Sequence, residues 1–214
     1  MSTTLNRALL VSGTTLAALG LAAAPALAEP VTLSEGHVDV VDIGYEAGTL
    51  ELSLHDGTTG TPVERDPAEV TLHVKPEAET AVPGDSAYGF LGDPGDPVWI
   101  LPQSQDPELL FAGWSAHELP AGAFQGDSVQ LRLTAVSGPA DVSVFDTGTS
   151  GPAKRFDSGD GLPDSVAVSA GAHHHTNWAF VAEGTYTLTF QASGQLTDGT
   201  TVTSDAVDYH FTVG

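Results

Sequence analysis

The chain is built from short apolar bursts of period two, each too brief for a helix. Val38-Asp39-Val40-Val41-Asp42-Ile43, Thr49-Leu50-Glu51-Leu52-Ser53-Leu54, Val70-Thr71-Leu72-His73-Val74 and Val129-Gln130-Leu131-Arg132-Leu133 are β-branched or alternating, the mark of half-buried strands. Further strands are expected at 141–145, 165–168, 178–181, 185–192 and 209–213. With 24 Gly and 14 Pro, clusters such as Gly92-Asp93-Pro94-Gly95-Asp96-Pro97 and Asp157-Ser158-Gly159-Asp160-Gly161 cut each burst short. Amphipathic helices of useful length have no room. The expected fold is therefore all-β, an antiparallel β-sandwich of immunoglobulin-like or jelly-roll-like type with long Pro/Gly-rich loops.

One hairpin can be read in detail. Tyr186 to Phe190 and Val202 to Phe211 flank Leu196-Thr197-Asp198-Gly199-Thr200, with Asp198-Gly199 as the turn. The stretch from Tyr88 to Leu119 is less regular and reads as a long packed excursion whose Trp99, Phe111 and Trp114 belong to the core. No linker-like segment separates two self-sufficient apolar patterns, so residues 29–214 are expected to form one domain. Ahead of them, Arg7 leads into the apolar run from Ala8 to Ala24 and then Pro25-Ala26-Leu27-Ala28. That pattern fits a secretory signal peptide over residues 1–28, cleaved at Ala28. It implies an extracellular or envelope-associated protein, and no second run of about 20 apolar residues follows to span a membrane.

Cysteine is absent, so a bound metal would be held by nitrogen and oxygen alone. The 28 Asp and Glu against 6 Lys and Arg give a formal charge of -22, which repels phosphate backbones and sets nucleic-acid binding aside.

Against this background Gly171-Ala172-His173-His174-His175-Thr176-Asn177-Trp178-Ala179-Phe180 stands out. On a strand, alternate residues share a face. His173, His175 and Asn177 then point one way, while His174, Thr176, Trp178 and Phe180 point towards the core. Imidazoles at i and i+2 sit roughly 6–7 Å apart at Cα and form a chelating pair. Further ligands must come from elsewhere, and His37 and His55, at the ends of expected strands, are the candidates. The expected metal set is thus His37, His55, His173 and His175. Neutral imidazoles suit a divalent transition metal, zinc first, with copper or manganese as other candidates.

His73, His117 and His210 are isolated and read as surface or hydrogen-bonded histidines. Asp157, Asp160 and Asp164 crowd one loop, but their spacing is not that of an EF-hand, and solvated turn acids are the simpler reading. Gly113-Trp114-Ser115-Ala116-His117 lacks the second glycine of a nucleophile elbow, and no catalytic constellation is recognised.

Three elements together resemble a known family: Gly36-His37-Val38-Asp39-Val40, Pro94-Gly95-Asp96-Pro97-Val98-Trp99 with Leu101-Pro102-Gln103, and His173-x-His175-x-Asn177-Trp178-x-Phe180 followed by Gly184-x-Tyr186-x-Leu188-Thr189. They look like the actinobacterial surface-anchored protein domain, or choice-of-anchor M domain, over nearly all of residues 31–214. The resemblance implies a cell-surface protein associated with an ABC-type transporter of the zinc- or manganese-importing kind. The chain shows no sorting signal or hydrophobic tail of the kind the family's anchors use. The expectation is therefore an exported, non-enzymatic protein that captures or buffers a transition metal for an uptake system. The alternative is a structural or adhesive surface module that binds a glycan or protein partner.

Overall fold

The computed structural model describes residues 30–214; the expected leader and its cleavage point lie outside the described residues. The chain runs through β1 (Val31–Leu33), β2 (Gly36–Glu46), β3 (Thr49–Asp56), β4 (Val63–Arg65), β5 (Val70–Val74), β6 (Glu79–Ala81), β7 (Pro97–Leu101) and β8 (Leu110–Ser115). It continues with β9 (Ser128–Ser137), β10 (Val142–Gly148), β11 (Gly151–Asp157), β12 (Asp164–Ser169), β13 (His173–His175), β14 (Asn177–Phe180), β15 (Gly184–Gln195), β16 (Thr201–Thr203) and β17 (Val207–Val213). Helix among the described residues is limited to short 3-10 turns, the longest at Ser86–Leu91.

The strands form three sheets in a sandwich-like arrangement. One has the order β1-β5-β17-β15-β9-β12, with β16 added to β15; the second is β11-β10-β14-β7-β6; the third is β13-β8-β2-β3-β4. Most pairs are antiparallel, as a sandwich leads one to expect. Three are parallel, β1 with β5, β5 with β17 and β2 with β8, so two of the sheets are mixed.

The apolar alternation accounts for the core. In β15, Tyr186, Leu188, Phe190 and Ala192 are buried, and in β17 so are Tyr209, Phe211 and Val213. They meet Trp178 and Phe180 of β14, with Trp178 and Phe211 stacked at 5.9 Å between ring centroids. Ile43, Leu50 and Leu54 from the third sheet join the same cluster. A smaller cluster of Val82, Leu91, Val98, Phe145 and Ala179 lies apart from it, with Tyr88 and Phe90 packed against it.

Two local expectations need correction. The stretch from 88 to 119 is not an irregular excursion, because it supplies β7 and β8 to two different sheets. Trp99 and Trp114 are buried as expected, but Phe111 is only half-buried and stacks on His175. Second, 173–180 is not one continuous strand. It breaks at buried Thr176, with β13 pairing β8 in one sheet and β14 pairing β10 and β7 in another. A strand that changes sheets at a corner loses its simple alternation there. Asn177 therefore leaves the histidine face; its amide nitrogen donates to Phe145 O and Gln103 Oε1, and its oxygen accepts from the Gln103 N–H.

Candidate metal centre

Alternation in β2 sends Val38 and Val40 into the core and turns His37 and Asp39 to the opposite face. Pairing then lines up neighbouring strands. His175 of β13 lies opposite Gly113 of β8, Gly113 opposite Asp39 of β2, Asp39 opposite His55 of β3, and His55 opposite Glu64 of β4. A single row of side chains thus crosses the whole sheet. His173, two residues from His175, stands beside the row on the same face.

Glycine at two positions gives the imidazoles room. A Cβ at Gly113 would lie 2.8 Å from His175 Nδ1 and 2.5 Å from the His174 carbonyl oxygen. A Cβ at Gly57 would lie 2.6 Å from His37 Nδ1. The His175 ring is further fixed by Phe111, parallel to it within 7° at a centroid distance of 3.6 Å.

These constraints bring four ligand atoms together. His173 Nε2 is 3.1 Å from both His37 Nε2 and His175 Nε2 and 2.8 Å from Asp39 Oδ1. Asp39 Oδ1 is 3.7 Å from His37 Nε2 and 3.9 Å from His175 Nε2. Ligand atoms 2.0–2.1 Å from a tetrahedral zinc ion stand about 3.3–3.4 Å apart, in the middle of this range. Hydrogen bonding alone cannot explain the cluster, because His173 Nε2 carries at most one proton yet faces two nitrogens and a carboxylate oxygen. The residues fit a divalent cation, and the group His37, Asp39, His173 and His175 can hold one.

The electrostatics suit coordination. Burial, reinforced by the neighbouring His37, pushes the His175 imidazole down to about 4. Burial also lowers His37, with Asp39 opposing. Both rings are thereby kept neutral, the form that binds metal.

Of the expected ligands, His37, His173 and His175 come together and His55 does not. It sits one strand position away, its Nδ1 against Glu64 Oε1, in a separate group with Asp42 and Glu64. Its ring is 6.2 Å from that of His37. Burial would lower His55, but the hydrogen bond and charge of Glu64 carry its pKa upward. The fourth member of the first group is Asp39, which is not among the ligands expected from the sequence. Its only sequence signal was the His-x-Asp spacing on the strand that already carried a ligand.

The remaining histidines have other partners. His174 faces away, its Nε2 2.9 Å from Asp146 Oδ1 and its ring against Trp114. His73 is near Gly214 O and His210 near Thr187 Oγ1. Exposed His117 lies closer to the centre than expected, 5.3 Å from the His173 ring. Around Asp157, Asp160 and Asp164 it is the Lys154 ammonium that meets the carboxylates, donating to Asp157 at 2.7 Å and to Asp160. Ser115 is buried and its hydroxyl accepts from the His117 N–H at 3.3 Å. No family model, curated protein or solved structure matches the chain.

Proposed function

We propose that this is an exported metal-binding domain that captures or buffers a divalent transition metal, zinc first, outside the cytoplasm. The observation that carries the reading is the convergence of three imidazole nitrogens and the Asp39 carboxylate on one point of a sheet face. Three nitrogens and one oxygen match zinc in softness and number. Four protein ligands fill a tetrahedral shell and leave no open position for a substrate, which favours holding an ion over hydrolysis. The exposed edge residue His173 gives the ion a route in and out, as exchange with a partner requires. Export rests on the leader-like residues 1–28, and delivery to an ABC-type uptake system on the family resemblance alone.

Calorimetric titration of untagged, metal-free protein with zinc and copper tests the site. His173→Ala/His175→Ala should abolish first-site binding, His37→Ala and Asp39→Asn should each weaken it by more than about tenfold, and His174→Ala should change little. Wild-type affinity in the double variant would remove the site, leaving the structural or adhesive module as the better reading.

A further inference from the structure

The side chains beside the first group have a geometry of their own. Asp39 and Asp42 are three residues apart, so a regular strand would put them on opposite faces. The pairing of β2 with β3 shifts between them, with Asp39 opposite His55 and Asp42 opposite Ser53. Three steps on β2 thus match two on β3, and this bulge returns Asp42 to the face that carries Asp39. Asp42 is 4 % exposed, and its Oδ1 is buried without any hydrogen-bond partner. A buried carboxylate oxygen left without a hydrogen bond is one that a cation can satisfy. Ligand atoms of Asp42, His55 and Glu64 lie within 4.8 Å of one another. Glu64 is held in place by Ser53, whose hydroxyl donates to Oε2 at 2.9 Å.

We infer that Asp42, His55 and Glu64 form a second divalent-cation position, next to the first on the same sheet face, so that the face carries a two-ion centre. The position stands on its own residues and does not depend on the first being filled. One imidazole and two carboxylates make a harder donor set than three imidazoles and one carboxylate, so manganese(II) is better suited here than at the first position. Three protein ligands leave coordination places for water. Ser53 and Glu64 also line a surface groove of about 550 Å³, so the Glu64 side of the cluster borders solvent.

The test is stoichiometry on untagged, metal-free full domain, with zinc counted by equilibrium dialysis and manganese(II) by the loss of its free-ion paramagnetic resonance signal. Wild type should bind two zinc ions. Asp42→Asn/Glu64→Gln should bind one zinc at the first position and lose manganese, and His173→Ala/His175→Ala should bind one zinc and keep manganese. His55→Gln, which keeps both carboxylates, should weaken manganese by more than about tenfold. Circular dichroism of each variant confirms that the fold is retained. One zinc in wild type, lost only in the His173/His175 variant, would overturn the second position and leave the first. One zinc lost only in the Asp42/Glu64 variant would overturn the first and leave the second.

Discussion

At the scale of the residue, His175 couples burial, stacking and acid sensitivity in one ring. Its pKa is pushed down to about 4 by burial, whereas the unfolded chain titrates near 6.5. Between these values the unfolded state binds the extra proton, so this contribution is fully present above pH 6.5 and is lost as pH falls towards 4. It amounts to at most about 3 kcal/mol. Urea unfolding in chelator should therefore show a steeper loss of stability over this window in wild type than in His175→Gln; equal slopes would contradict the burial. Gly113 is the companion case. Gly113→Ala should weaken zinc binding by more than about tenfold through the displaced His175 ring, whereas Gly60→Ala, whose Cβ meets nothing within 4 Å, should not. The three clustered histidines were legible because imidazole at alternate strand positions has a narrow range of uses. Asp39 was not, because an outward acid on a strand usually meets only water, and its partner β8 lies some 70 residues downstream, roughly the span that any local reading misses.

At the scale of the element, the sheet that carries the ligands depends on the β3–β4 hairpin. Asp56, fully buried, accepts from the Thr58 N–H at 2.9 Å, the Thr58 hydroxyl at 2.6 Å and Arg65 Nε at 2.7 Å. Burial opposes its ionisation, but the Thr58 and Arg65 hydrogen bonds hold its pKa below the usual value. Asp56→Ala strands Arg65 and should cost about 3–5 kcal/mol in chemical denaturation. Because this hairpin also positions Gly57 under His37 and Glu64 beside His55, metal affinity should fall with it. The long alternating strands β2, β3, β9 and β15 were readable from period alone. β8 was hidden because Ala112, Gly113, Trp114 and Ser115 are all buried, which erases the alternation. Three-residue β1, β4, β6 and β16 are too short to show a period at all. The bulge in β2 shows in the sequence only as the Val40-Val41 doublet, where the alternation shifts by one.

At the scale of the whole molecule, one core cluster draws residues from all three sheets, from Val38 and Leu54 through Trp99 and Val144 to Phe190 and Phe211. The described residues should then unfold in a single cooperative step, with fluorescence and far-ultraviolet transitions coincident, and two stable proteolytic halves would contradict this. The sandwich itself was legible, since frequent turns between short apolar bursts permit little else; the three parallel pairings were not, because register across distant strands is set by packing. Closing the first centre has a topological consequence. His37 and His173 are 136 positions apart. An ion shared between them cross-links the chain into a very large loop, and closing a loop of that order in a disulfide takes about 4–5 kcal/mol of entropy out of the unfolded ensemble. In a chain without cysteine the metal would act as a reversible covalent substitute, fastened at neutral pH and undone by acid or a chelator, with no need for a change in redox state.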